Sequence, residues 1–556
     1  MNKGSVLHRR QTGTALLWVV SLSFIFMMTA FVADVSRLYF DKRQLQTAAN
    51  TVASKLVDDG QTCFGAELSE DAIDLASRAK GILDENFSGE DFSVDVAKVV
   101  SVDGESGVYE VADVVQDARE SNGVAVTISK PAPGLVSFVL DENIKAHSVA
   151  RKDVTATIST TNSTLVAGQD NTVLGAILGN ILGIGPIDAT DLASLAGTTA
   201  TVGDLLVGLG VNDVADLVSP LLSAKDLADA LKEVGGLSGP AISILDSVAG
   251  SAGISTVPLT DVLAIVEGAS VPESSEFPLY DTIIALVLKV GELAFTIPPT
   301  TIDIPGLPGE EVTLDLVVNQ APSVLLGTAR WDPSEEDWEA KAYGADIELN
   351  LTLDVSLGLL GVLNLGSIKV PLSVSTGSSE LALIAASCAK GSSQRVAFLV
   401  DASVSGVSLS GDINTEIAGG LLKVEAAVGA DVLSSNDDKE PLLFEADLLG
   451  DGVPRTPEYG YRISKKLPTA GDISLSLKEI NVELLGISII PGIIDLVKGI
   501  VNNTLSPVLS ALASNLLVPL LSGLGVELGT VTASLDDARQ GSMTLIECGE
   551  PLCADL

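Results

Sequence analysis

The side chains that could do chemistry in this 556-residue chain are its histidines, cysteines and carboxylates. There are two histidines, His8 and His147, and neither has a second imidazole nearby in sequence to share a metal. A nucleophile–His–acid arrangement around His147 would need an elbow motif, and "HSVARKD" holds none. A G-x-x-x-x-G-K-[ST] phosphate loop and an HExxH zinc helix are both absent from the sequence. Four cysteines, Cys63, Cys388, Cys548 and Cys553, form an even set suited to one or two disulfides in an oxidising compartment. Three full pairings are open, with the Gly and Pro of "CGEPLC" favouring a small loop. A zinc site would need more Cys or His close by than this chain offers. Calcium loops need Asp or Asn at alternating positions followed by Gly. "SSNDDKE" from Ser434 and "DLLGDGVP" from Asp447 cluster acids without that spacing, so calcium binding is not expected. Nothing localises a carboxylate pair for glycoside hydrolysis. The expectation is a protein that is not an enzyme, with no catalytic residue, no metal and no cofactor.

The elements that position these groups must be built from aliphatic material. Hydrophobic residues are 46% of the chain and aromatics only 4%, so the cores are Leu, Val, Ile and Ala. Length gives room for about three or four domains. With 32 Lys and Arg against 73 Asp and Glu, the net charge of −41 repels phosphate backbones, and nucleic-acid binding is not expected. The excess acid reads as a solubilising surface outside the cell.

One segment is different in kind. Residues 11 to 33 carry no charge, and the 20 from Thr14 to Ala33 would span about 30 Å as a helix, the hydrocarbon thickness of a bilayer. Lys3, Arg9 and Arg10 precede it and the first acid is Asp34, which places the N-terminal side in the cytoplasm of a bacterial cell and the bulk of the chain periplasmic or extracellular. The small-residue pattern needed for signal-peptide cleavage is poor, with Phe31 or Met28 at the −3 position. A retained single-pass anchor in the inner membrane is expected. The helix should continue: Val35, Leu38, Leu45, Ala49, Val52 and Leu56 keep a three-four spacing, with Lys42 as the polar exception, and no Gly or Pro interrupts before Gly60. That stripe suits packing on the chain's own domain or on a partner helix.

The residues of this segment resemble the N-terminal region of TadG-like proteins, of the TadE/G-like group associated with tight-adherence (Flp) pilus assembly. The resemblance rests on Arg9-Arg10, Gly13, Asp34, Arg37-Leu38-Tyr39 and Leu45-Gln46-Thr47-Ala48-Ala49-Asn50, and covers about 50 residues. Asn50 stands where Asp is common in the family. Related pilins are cut after a Gly and carry Glu five residues later; the fifth residue after Gly13 is Trp18, so cleavage does not carry over. The resemblance implies a membrane-anchored envelope protein acting with other pilus-assembly subunits or in surface adhesion.

Beyond the anchor, residues 61–160 read as an α+β unit. Ser69 is a cap candidate for a helix with Ile73, Ala76, Ala79 and Leu83 on its apolar face. Alternating stretches start at Phe92, Val108 and Gly123, and Pro131 and Pro133 mark a turn. This order resembles the pilin-like domain behind a TadG-type anchor. Residues 161–295 are rich in Leu, Ala and Gly, with Asp204, Asp261 and Asp281 each opening an apolar helical run as a cap or dipole partner. Residues 296–556 are β-rich. In "ADIELNLTLDVSLGLL", Ile347, Leu349, Leu351, Leu353, Val355 and Leu357 face one way and polar residues the other. The uncharged run from Gly499 to Gly525 contains Asn502, Asn503, Pro507 and Pro519, and reads as two Pro-broken amphipathic helices on a sheet rather than a second span. The fold class is therefore α+β: a cytoplasmic tip, single N-terminal transmembrane helix and stalk (1–60), a pilin-like α+β domain, a helical region, and a β-rich C-terminal region with amphipathic helices. Two other functions fit parts of this pattern. Long one-faced strands under Leu-rich helices could wrap a lipid-sized apolar ligand, and an extracellular hydrolase would need a carboxylate pair that no motif marks.

Overall fold

The computed structural model describes residues 8–59, 74–105, 108–114, 118–132, 143–160, 172–183, 185–188, 198–219, 221–234, 239–250, 257–266, 271–293, 299–303, 311–359, 363–376, 379–389, 395–404, 407–417, 422–430, 436–447, 461–466, 475–484, 491–524 and 530–546, with 63, 195 and 237 singly. The chain forms two compact units. The first combines residues 1–63, 68–152 and 542–556; the second holds 64–67 and 153–541.

In the first unit the long helix α1 (His8–Leu56) is followed by a short 3-10 turn and then α2 (Leu75–Asn86). Asp74 caps α2, its carboxylate accepting the Ser77 amide at 3.0 Å. The expected cap, Ser69, lies outside the described residues. Leu75, Ala79 and Leu83 form the buried face of α2. Strands β1 (Ser93–Glu105), β2 (Val108–Val114), β3 (Gly123–Lys130), β4 (Ile144–Arg151) and the last strand among the described residues, β25 (Thr544–Ile546), make an antiparallel sheet ordered β2-β1-β3-β4-β25. The period-two alternation puts Val124, Val126 and Ile128 of β3 on the face that meets α1 and α2. Ala125 faces the opposite side, where it joins Val100, Val102, Val149 and Ile546 in a smaller core.

The second unit is built on three main sheets. The largest has seven antiparallel strands: β9 (Thr300–Asp303), β10 (Glu311–Gln320), β15 (Asp346–Leu359), β16 (Leu363–Thr376), β19 (Val407–Ile417), β20 (Leu422–Ala430) and β23 (Leu475–Leu484), neighbours in that order. Its alternation matches the sequence expectation where side chains are described: Ile347, Leu349, Leu351, Leu353 and Val355 are buried. Val312, Leu314 and Leu316 of β10 and Val370, Leu372 and Val374 of β16 lie on the same apolar side. Helix α8 (Pro491–Leu512) contacts β15 and β23 on this unit and contributes Val501, Leu505 and Leu509 to one continuous core with the strands. A π-helical turn (Ala513–Leu517) and α9 (Val518–Gly523) extend it.

Here the structure differs from the expectation of two Pro-broken helices. α8 runs through Pro507 without ending. The carbonyl that Pro507 leaves without an amide partner belongs to Asn503, an exposed residue, so water can take that acceptor. The change of register comes instead at the π turn. The 495–521 segment is long and apolar enough to cross a membrane, but half of its apolar window is buried within the unit, as the covering of a core requires.

The other sheets are β22-β24-β5-β11-β7, from β5 (Val154–Ser159), β7 (Leu263–Ile265), β11 (Val324–Gly327), β22 (Tyr461–Lys466) and β24 (Thr530–Gln540), and β14-β17-β18-β21, from β14 (Lys341–Tyr343), β17 (Ser379–Ser387), β18 (Arg395–Val404) and β21 (Asn436–Asp447). Phe398 and Phe444 face each other across β18 and β21, both fully buried. Two-stranded ribbons join β6 (Thr199–Thr201) to β8 (Glu276–Pro278) and β12 (Trp331–Asp332) to β13 (Asp337–Trp338).

The helices of the Leu/Ala/Gly-rich stretch are α3 (Thr172–Ile181), α4 (Val202–Leu209), α5 (Ala224–Glu233), α6 (Gly239–Gly250) and α7 (Leu279–Leu293). Local chemistry explains their ends. Thr201 caps α4 and Gly210 closes it in the left-handed conformation at φ 68°. Ser223 and Asp226 form a capping box on α5. Asp204 and Asp281 sit in the first turns of α4 and α7, and Asp261 in a short 3-10 turn, Leu259–Asp261.

The second unit is an insertion between two strands that pair. The first unit is left after Arg151, which pairs with Thr544 on its return. Immediately inside the insertion, Val154 pairs with Gln540. Replacing residues 153–541 by a short Gly-Asn turn should therefore leave the first unit folded. A cooperative thermal transition in circular dichroism would show this; a chain without one would show that the insertion is required for the sheet.

Candidate functional site

The sequence points to one element, α1, and the structure shows how its residues divide. A helix of 49 residues is about 74 Å long at 1.5 Å per residue. From Leu16 to Val32 its side chains are exposed among the described residues: Trp18 is 72% exposed, Phe26 69% and Met27 70%. Such a contiguous apolar surface is far larger than the scattered exposed apolar residues of a soluble surface. Thr29 and Ser36 hydroxyls donate to the carbonyls of Ile25 and Val32 at 2.7 and 2.9 Å, so these two hydroxyls are satisfied inside the helix, as a hydrocarbon solvent demands.

One face of the second half of the same helix is buried. Leu45, Ala48, Ala49, Val52, Ala53 and Leu56 have no exposed surface and repeat at three- and four-residue spacing. They pack against β3, β4 and α2, with Val126, Ile128 and Ala146 in the shared core. The stripe expected from sequence is thus used on the chain's own domain from Leu45 onward. Small residues at 48, 49 and 53 let the helix backbone lie close to the sheet. Val35 remains 44% exposed and Leu38 half-buried.

Polar contacts fix the helix where it first meets the sheet. Gln46 donates to the His147 carbonyl at 2.7 Å and to Asn50 Oδ1 at 3.0 Å. The Lys130 ammonium lies 3.0 Å from Asp41 and 3.3 Å from Glu90, and Gln44 donates to Glu90 at 2.9 Å. Burial alone would lower the affinity of Lys130 for its proton, but hydrogen bonds to Asp41 and Glu90 outweigh it and hold its pKa above the ordinary value. Hydrogen bonds from Gln44 and then Lys130 hold Glu90 below the usual carboxylate range. Lys152 pairs with Asp58 at 2.7 Å near the end of the helix.

The family-motif residues fall along this one element. Arg9, Arg10 and Gly13 lie in the first turns of α1. Asp34 is half-buried, Arg37 is 3.9 Å from Asp41, and Tyr39 packs edge-on against Phe40 with ring centres 6.1 Å apart. Leu45 and Gln46 supply the buried anchor and its hydrogen bond. Of the cysteines, Cys63 and Cys388 are each disulfide-bonded, which leaves neither a thiolate for metal. Cys548 and Cys553 lie outside the described residues. His147 sits on β4, half-buried, its Nδ1 2.9 Å from Thr127 Oγ1. The residues the sequence did not single out are Asp41, Gln44, Glu90 and Lys130, which come from α1, the turn between α2 and β1, and β3, and leave no local signal.

Fold and site together define a membrane-anchored α+β protein whose span and stalk are one helix. A family model described as putative Flp pilus-assembly TadE/G-like matches residues 13–53 of this chain. The match lies wholly within α1, from the apolar run through Ala53 of the docked stripe. No curated protein and no solved structure matches the chain.

Two substitutions test the docking. Leu45→Ala should destabilise the first unit by about 2–5 kcal/mol, as for a fully buried leucine, read as a lowered denaturant midpoint. A depressed Glu90 contributes stability that is complete above its ordinary pKa of 4.5 and is lost as pH falls through the lower folded value. Glu90→Gln should therefore flatten the loss of stability below pH 4.5, and an unchanged acid slope would mean that the Gln44–Glu90–Lys130 cluster carries no linkage.

Proposed function

We propose that the chain is a non-enzymatic, single-pass protein of the bacterial inner membrane that assists Flp-type pilus assembly or surface adhesion. Its N-terminus lies in the cytoplasm and the chain beyond the apolar run of α1 lies outside. The observation that carries this reading is the change of surroundings along α1: an apolar half exposed among the described residues, continuous with a half whose stripe from Leu45 to Leu56 is buried in an α+β unit. The TadE/G-like match over that same helix supports the pilus context. Oxidised Cys63 and Cys388 agree with an oxidising compartment. The continuity of the helix and Trp18 at the fifth position after Gly13 support retention of the span.

The insertion then has a physical sense. An anchored sheet accepts a large unit between β4 and β25 without losing its own pairing. A partner subunit would meet the chain on that inserted unit or at the exposed turns of α1 between Val35 and Phe40.

The test is membrane fractionation with intact-mass measurement on native cells. The full-length chain is expected in the inner-membrane pellet, resistant to carbonate extraction, with the bulk of it digested by protease only after the outer membrane is opened. Pili and adhesion should be lost on deletion. A mass beginning at Thr14 in sheared fibres would replace the anchored assembly factor with a processed minor pilin.

A further inference from the structure

A cleft of about 290 Å³ opens in the second unit between the β12–β13 hairpin and the segment around Thr260 and Ile265. It is at the small end of ligand pockets. Its chemistry is uneven in a way that selects a ligand. Trp338 and Tyr343 supply aromatic surface, and Ile265 an apolar floor. Trp331 packs edge-on against Trp338 across the hairpin, with ring centres 5.3 Å apart and planes at 81°, so the Trp338 ring is held in place before any ligand arrives.

Four carboxylates line the same space, and two already have cations. Asp337 pairs with Lys341, and Glu339 with Arg330 at 3.3 Å. Asp332 and Glu335 have no cation within ion-pair distance among the described residues. Asp332 accepts the Ser334 amide and hydroxyl, both at 2.7 Å, which favours its charged form. The cleft therefore combines fixed aromatic surface with two carboxylates that make no ion pair among the described residues, Arg330 acting on Asp332 only from a distance. Aromatic faces attract cations through the ring quadrupole, and most strongly at Trp. A neutral sugar would find the aromatic surface but would leave the charge unanswered. A bare divalent metal would find the charge but gain nothing from Trp338 and Tyr343.

We propose that this cleft binds a small organic ammonium ion, its charge against Asp332 and Glu335 and its methyl or methylene surface against Trp338 and Tyr343. This binding stands apart from the pilus reading and holds or fails without it.

The chain offers a direct probe. It has three tryptophans; Trp18 lies in α1, and the other two form this hairpin. Tryptophan fluorescence of the full-length protein in detergent is titrated with choline and, separately, with 3,3-dimethyl-1-butanol, its uncharged isostere, at constant ionic strength. A saturable change with choline and none with the isostere is expected. Asp332→Asn with Glu335→Gln should raise the half-saturation concentration about tenfold or more while leaving the unliganded spectrum and the melting transition unchanged. Trp338→Leu should abolish choline binding measured by equilibrium dialysis. Equal response to both probes, no saturable response to choline, or binding that survives the double carboxylate substitution would overturn the proposal. So would a response to calcium alone.

Discussion

Everything in the first unit depends on α1 remaining one helix while its surroundings change. Its backbone hydrogen bonds are internal, so the rod can pass from lipid to protein without leaving an amide or carbonyl orphaned. What changes is only the side chains. Up to Val32 they need hydrocarbon; from Leu45 they need the sheet. Between them lie the exposed charges of Arg37 and Lys42, while Asp41 turns to Lys130 of the sheet. The protein can thus be fixed relative to the membrane by packing alone, because the sheet grips the same rigid element that the bilayer holds.

The sheet in turn is completed by a strand from the far end of the chain. β25 is only three residues long, yet it pairs with β4 and brings Ile546 to the smaller core. Closing it brings together residues nearly four hundred positions apart, a cost that grows slowly with loop length and is reduced where the inserted residues fold on themselves. The second unit does so: its seven-stranded sheet and covering helix share one core. That continuous packing is the ordinary use of long one-faced strands and Leu-rich helices, the same pattern that could have lined a lipid tunnel.

Much of this was readable from local pattern. The apolar run, its unbroken continuation and the stripe at Leu45, Ala49, Val52 and Leu56 are periodicities within one element. So is the alternation from Ile347 to Val355. Asp204 and Asp281 fall in the first turns of α4 and α7, where the helix dipole favours an acid. What sequence does not carry is who pairs with whom. β5 reads as the last strand of the first α+β segment, but it joins β11 and β24 in the second unit, over separations that no period records. The Lys130 cluster and the Trp331–Trp338 cleft are likewise assembled across elements. Pro507 misled because a missing hydrogen bond is costly only where water cannot replace it, and Asn503 is exposed.

The most direct test of the central claim is amide hydrogen exchange of the full-length protein in lipid nanodiscs, read peptide by peptide along residues 16–56. A continuous helix predicts slow exchange across the whole segment, including 34–44, where lipid ends and the sheet begins. Fast exchange confined to 34–44 would reveal a hinge there. The span and the folded unit would then be two bodies joined by a flexible link, which contradicts a single rigid anchor.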